Sequence, residues 1–394
     1  MKDLGEGTIR RIDWQELTPV VLLLRVFNTA TGIRVLFLST IGILLTLIVG
    51  YGINCHCSKS HEEKNFQKPV YIKPLLDSQN QQSQQISFRK NPIEYSWQLI
   101  QHSVFVPWDI FSTAGFRLFR LEGDSIGVYL GWFFVLLFIW SFFGGMICRT
   151  IALRLTIDQS ESGKKLWQFI KLRGTGFLSS VIIIVLGMLF CFVPIKLCGW
   201  FFAVPVFDYL TAVLFPVAIL LGFFVMVFAV GLFLGWPLLF AAVSVEGSDG
   251  FDAVSRMFSY VYQRPLHYLV YWTISGVLGV LGFVFVSIFV DGIILLICKF
   301  GGFPAQAVIP SFSYLTLPET YAGLSPPENL ILIWCAMLQL VKLAYTFAWF
   351  WTSSVAIYLL LRRSVDATPF NEVYQIVPAQ PRILPEININ TGSF

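Results

Sequence analysis

Few residues in this chain can do chemistry, and they stand in three places. Asp291 and Lys342 lie inside long apolar runs, with Gln339 one helical turn from Lys342. An ionisable side chain at mid-membrane costs about 2.5–3.5 kcal/mol or more, so such residues mark candidate sites. In antiparallel helices rising 1.5 Å per residue, the two fall about 8 Å apart in depth, a gap that a lysine stem largely closes. Three uses are open to them: an ion pair that fixes helix packing, which is the reading adopted, two side chains snorkelling independently, or a proton or ion relay. The second group is Glu246, Asp252 and Arg256, in which Asp252 and Arg256 have the i, i+4 spacing of a weak surface ion pair. The third is Cys55-His56-Cys57 with His61. Thiolate and imidazole suit zinc or copper(I). No second ligand pair follows at a zinc-finger spacing, so free or oxidised thiols are expected and no metal is assigned. Phosphate-loop, zinc-protease, nucleophile-elbow and dinucleotide-binding signatures are absent. Four histidines leave little for acid–base work near neutral pH. The sequence predicts no catalytic residue, no cofactor and no enzymatic activity.

The elements that position these residues follow from composition. Of 394 residues, 56% are hydrophobic and 13% charged, with 38 Phe and 12 Trp. Soluble domains carry roughly 45–50% and about 25%. So much apolar surface does not fit inside a water-soluble globule, and a disordered chain, a disulfide mini-scaffold and a collagen are excluded. A net charge of +4, spread along the chain, gives no case for nucleic acid. Six runs are long enough to cross a hydrocarbon core, which takes about 20 helical residues. They are about Val35–Gly52, Gly127–Ile147, Gly176–Pro194, Tyr209–Val245, His267–Cys298 and Leu330–Leu361. None shows the period-2 alternation of a barrel strand. The expected fold is all-α, a polytopic transmembrane helix bundle of about six spans with short interfacial amphipathic helices. Pro216 and Pro237 lie inside the fourth run, which is read as one kinked helix, with a broken span as the alternative.

The organisation expected is a cytoplasmic arm (1–34), a first span (35–54), an external loop (55–126), a five-span core (127–361) and a cytoplasmic Pro-containing tail (362–394). Basic residues set the orientation. Arg149, Arg154, Lys164, Lys165, Lys171 and Arg173 crowd the second-to-third connection, and Arg362 and Arg363 end the sixth span. Both termini are therefore expected inside a bacterial cytoplasmic membrane, with the first span as a signal anchor. The external loop opens with a Gln-rich linker. Its second part, Glu94–Leu121, alternates aromatic and polar residues and reads as interfacial helices on the outer surface, broken at Pro107.

Between the fourth and fifth spans, Phe251, Val254, Phe258, Val261 and Tyr262 form an apolar helical stripe opposite Asp252, Arg256, Ser259 and Gln263. Asp249 can cap this helix and Pro265 lies past its end. In the earlier connection, Leu166, Phe169 and Ile170 face away from Lys164, Gln168 and Lys171. A shift of 88 residues superimposes Asp158 on Glu246 and Leu166 on Val254, a weak internal repeat of span, acidic turn, interfacial helix and span. The stretch Val245-Glu-Gly-Ser-Asp-Gly-Phe-Asp-Ala-Val-Ser-Arg-Met-Phe-Ser-Tyr260, followed by Pro265 and a long span, resembles an element of uncharacterised bacterial six-helix membrane proteins. The membrane domain attached to some glycerophosphodiester phosphodiesterases is similar. The resemblance covers roughly Gly231 to Val290, departs at Met257, where Ser is usual, and implies a fold and a membrane location rather than an activity.

The expected role is that of a non-enzymatic scaffold or membrane-homeostasis component whose partners are the lipid bilayer and other membrane proteins. The rival is a permease subunit that offers the 246–265 region to an ATPase subunit.

Overall fold

The computed structural model describes residues 21–60, 106–108, 110–111, 126–204, 207–301 and 326–375. The Gln-rich linker, His61, most of Glu94–Leu121 and the tail beyond 375 lie outside them, as do the side chains of Cys55, His56 and Cys57.

Eight helices of ten or more residues are described: α1 (Val21–Ala30), α2 (Ile33–Ser60), α3 (Ile126–Ile157), α4 (Gly163–Phe202), α5 (Phe207–Glu246), α6 (Gly250–Gln263), α7 (Pro265–Gly301) and α8 (Pro326–Asp366). Six of these, all except α1 and α6, are long and apolar enough to cross a membrane. Every spanning helix runs past the apolar stretch that announced it. At 40 residues, α4 and α5 are each about 60 Å long, twice a hydrocarbon core of about 30 Å, so they tilt or project beyond it. The α5 helix is continuous through Pro216 and Pro237.

Helix α8 is the axis. It packs on α1, α2, α3, α5 and α7, and its residues from Gln339 to Leu361 are almost all buried. Trp351 fits against Gly144 of α3, where a Cβ would come within 2.9 Å of the indole. Ser275 of α7 donates to Ser353 at 2.6 Å, and the Trp349 indole donates to the Ser275 carbonyl at 3.1 Å. In a bilayer the hydrophobic effect does not draw helices together, so such close packing and interhelical hydrogen bonding must.

Four expectations are corrected. Residues 21–30 of the supposed arm form a helix whose Leu22, Leu23, Val26 and Ala30 are buried against the bundle, because their i, i+1, i+4, i+8 spacing makes one apolar edge. Lys164–Lys171 do not form a separate interfacial helix. With no breaker before the third span they are the first turns of α4, so the two connections do not share an interfacial helix. Helices α3 and α5 are each followed by a left-handed residue, Asp158 at φ 52° and Gly247 at φ 62°, one position out of the register that the 88-residue shift requires. The tail does not begin at 362: α8 continues to Asp366, and residues 367–375 fold back on the bundle.

The fourth correction concerns α6. Asp249 caps it by accepting from the Asp252 amide at 2.9 Å, and it ends before Pro265, both as its sequence predicts. The face it buries is Gly250, Ala253, Val254, Met257, Tyr260 and Val261. Phe251 and Tyr262 are exposed. The buried arc is rotated by roughly one residue, about 100°, from the stripe read in sequence. Two glycines on α5 choose it. A Cβ on Gly235 would come within 2.2 Å of the Met257 sulfur, and one on Gly231 within 2.2 Å of the Phe258 ring. The Gly-x-x-x-Gly notch of α5 thus seats Met257 and half of Phe258. Gly235→Val or Met257→Asp should sharply lower the yield of folded protein in detergent, whereas Ser255→Asp on the exposed face should be tolerated. Equal tolerance of all three, measured by size-exclusion profile, would mean that α6 is not docked there.

Candidate functional site

Charged groups collect at the end of the bundle where α5 stops, α6 crosses and α8 ends. Glu246 is the hub, its side chain 10% exposed. One carboxylate oxygen accepts from the Tyr358 hydroxyl at 2.6 Å and pairs with Arg362 at 3.1 Å. The other pairs with Arg256 of α6 at 2.7 Å. Arg256 also reaches Asp252 at 3.2 Å and Asp366 at 3.8 Å, and the Tyr260 hydroxyl donates to Asp366. Burial disfavours the Arg256 cation, but Glu246 and its neighbours outweigh that and raise its pKa. Burial, then the Asp366 carboxylate, pushes the Tyr260 phenol up, which keeps it a donor.

The folded-back tail closes this network. Arg362 donates to the Glu372 carbonyl at 2.7 Å and pairs with its carboxylate at 3.5 Å. The Tyr374 amide donates to the Val245 carbonyl at 2.8 Å, one of the carbonyls left open at the C-terminal end of α5. The Tyr374 ring lies against Gly247, where a Cβ would come within 2.6 Å, and the Arg173 guanidinium sits 5.2 Å from the ring centroid. Gly247 meets both demands at once, a positive φ and a face with no side chain.

Beside it lies a second polar centre. Arg149 is fully buried within α3. It donates to the Ser244 carbonyl at 3.1 Å and to Glu161 at 3.1 Å, and its guanidinium sits 4.6 Å from the Phe169 ring centroid. Arg34 donates to the Glu161 carbonyl at 2.9 Å.

Of the residues singled out in sequence, Glu246, Asp252 and Arg256 meet in the clamp, and Phe258 packs beside it on α5. Asp291 and Lys342 are also brought together. The lysine Nζ is 2.5 Å from Asp291 Oδ1, and Gln339 donates to the same oxygen at 3.1 Å. The Lys342 side chain is 10% exposed and that of Asp291 56%. Among the described residues no group of His, Cys, Asp and Glu could hold a metal ion. The residues missed in sequence are Tyr358, Arg362, Asp366, Glu372, Tyr374 and Arg149. In sequence Arg149 and Arg362 read as loop charges, and the carboxylates and arginines clustered around 362–372 are the available signal.

Loss of one partner of a buried pair costs about 3–5 kcal/mol. Asp291 is half exposed, so Asp291→Asn or Lys342→Met alone should cost about 1–3 kcal/mol of stability in detergent. The double variant should recover much of that, as a double-mutant cycle on thermal denaturation would show. Additive losses would mean that the two charges do not support each other.

The fold and its spans define a multi-pass, all-α membrane protein. Comparison with protein-family models, curated proteins and solved structures gave no match.

Proposed function

We propose that this chain is a non-enzymatic scaffold or membrane-homeostasis component of a bacterial cytoplasmic membrane, with both termini inside. The observation that carries the reading is the closed clamp. Glu246, Arg256, Arg362, Asp366 and Glu372 are spent on one another and tie α5, α6, α8 and the tail into one rigid base. A rigid base suits a protein that holds others in place. The motif that resembles uncharacterised six-helix membrane proteins supplies the hub Glu246, the turn Gly247, the cap Asp249 and the partner Arg256. A family relation is proposed on that basis. The rival, a permease subunit, is favoured by the exposed edge of α6, where Phe251, Ser255 and Tyr262 are open to a partner.

Affinity purification in mild detergent separates the two. Recovery without a nucleotide-hydrolysing subunit supports the scaffold, and a stoichiometric ATPase overturns it. Orientation is tested in a background without native thiols. A membrane-impermeant reagent added outside should label Ser83→Cys and miss Lys165→Cys and Ser364→Cys. External labelling at Lys165→Cys would invert the topology.

A further inference from the structure

Helix α3 packs on α1, α2, α4, α5 and α8, and between Trp132 and Ile157 it leaves just two residues exposed, Phe134 and Phe138. With the exposed Leu130 they stand four residues apart and make one line along the helix. Phe142, half-buried, continues the line towards the α3–α4 turn. Its ring meets Trp167 of α4 edge-on at 5.4 Å and Phe143 at 5.0 Å, and Phe143 lies against Gly42 of α2. The line is therefore the floor of a groove with α2 on one side and α4 on the other. From Leu130 to Phe142 it runs about 18 Å, slightly more than one leaflet of a hydrocarbon core of about 30 Å.

The end of the groove beside the α3–α4 turn is basic. Lys164 and Lys171 are seven residues apart, close to two turns, so they share a face of α4 with Trp167. All three are exposed, and the Lys171 ammonium stands 5.8 Å from the Trp167 ring centroid. Arg34 of α2, also exposed, donates to the Glu161 carbonyl in the turn itself, which places a third cation at the mouth. Among the described residues neither lysine has an ion-pair partner. The Glu161 carboxylate is engaged by Arg149 at 3.1 Å and is 16% exposed. Helix α4 also starts without an acidic residue in its first turn and without a side-chain cap from Ser162. Its first amides and its leading lysines thus present positive charge with no acid on the helix to meet it, where a helix N-terminus favours an anion.

We propose that the groove between α2 and α4 binds an anionic diacyl glycerophospholipid. Lys164, Lys171 and Arg34 hold the phosphate, the Trp167 indole donates to it, and one acyl chain lies along the aromatic line of α3. The inference rests on the membrane location alone and is independent of the scaffold reading and of the orientation of the chain. Charge selects the class of lipid: three cations match an anionic headgroup and repel the amine of a zwitterionic one. The apolar floor selects a lipid over a free anion. Inorganic phosphate would gain nothing from Phe134 and Phe138, whereas an acyl chain covers them.

The test uses the full chain in detergent, with bound lipid counted by native mass spectrometry. The probes are phosphatidylglycerol and phosphatidylcholine with the same acyl chains. The wild type should retain phosphatidylglycerol in preference, by about fivefold for each lysine that meets the phosphate. Lys164→Gln with Lys171→Gln should remove most of that preference. Arg264→Gln with Lys299→Gln takes away the same charge near the two ends of α7, which packs on α8, α1 and α6, and should leave the preference intact. Phe138→Ala, at a side chain 67% exposed, should weaken retention of both lipids severalfold without changing their ratio. All five positions are exposed, so every variant should fold. Equal retention of the two lipids by the wild type would overturn the site. So would an Arg264 and Lys299 variant that loses as much preference as the lysine variant, because net charge and not the groove would then be selecting the lipid. Retention indifferent to Phe138→Ala would overturn the acyl track, and displacement of the lipid by inorganic phosphate would replace the lipid by a free anion.

Discussion

Glu246→Leu should cost about 3–5 kcal/mol, the price of stripping one partner from a buried ionic network. The Tyr358 hydroxyl, in a fully buried residue, would lose its acceptor, and Arg256 and Arg362 would lose their shared counter-charge. Arg256 would retain Asp252 and Asp366, and Arg362 would retain Glu372, so the loss falls short of that of an isolated buried charge. Glu246→Gln preserves an acceptor for Tyr358 and should cost about half as much. Glu372→Gln removes a carboxylate whose side chain is 65% exposed, and should cost under about 1 kcal/mol. The order Leu, then Gln, then the Glu372 change is the result to look for in thermal denaturation in detergent. If Glu372→Gln proved as damaging as Glu246→Leu, the tail and not Glu246 would be the keystone of the base.

The six spans were legible because about 20 apolar residues in a row have few alternatives to a membrane helix. The ends of those helices were not. Lys164 and Lys165 look like loop charges, yet nothing in the sequence prevents α4 from starting at Gly163 and carrying them as its first turn. Likewise, Arg149 looks like a cytoplasmic charge just past the second span. Only the fold shows that α3 runs eight residues further, with the arginine turned inward onto Ser244 and Glu161. The turn chemistry around Asp249 and Pro265 was local and was read correctly. The face that α6 buries was not, because Phe251–Phe258–Tyr262 and Ala253–Met257–Tyr260 are overlapping arcs on one helix, and the choice between them lies with Gly231 and Gly235 on another. Glu246, Asp252 and Arg256 stand within one short stretch of sequence, so their grouping was legible. Their distant partners, Tyr358 and Arg362 for Glu246 and Asp366 for Arg256, are more than 100 residues away in sequence.

Arg149 and Glu161 should respond unequally to the loss of each other. Glu161→Gln leaves a guanidinium that is fully buried, with an uncompensated charge beside the Ser244 carbonyl and the Phe169 ring. That should cost about 3–5 kcal/mol. Arg149→Met leaves the carboxylate, but Glu161 is 16% exposed on the turn before α4 and has Arg34 on its own carbonyl. Glu161 is the more exposed partner and keeps the Arg34 cation on its backbone carbonyl, so the loss should be smaller, about 1–3 kcal/mol, most of it from the lost bond to Ser244 and the lost packing on Phe169. The double variant, Arg149→Met with Glu161→Gln, puts an unbranched apolar chain in the arginine's place and removes both charges. Replacing a buried pair by apolar groups of similar volume is often neutral or stabilising, so the double should be at least as stable as Glu161→Gln alone. A double-mutant cycle on detergent melting curves reads the coupling directly. Equal single losses would show that water already reaches Arg149. A double loss equal to the sum of the singles would show that the two side chains, 3.1 Å apart, are neighbours without being partners.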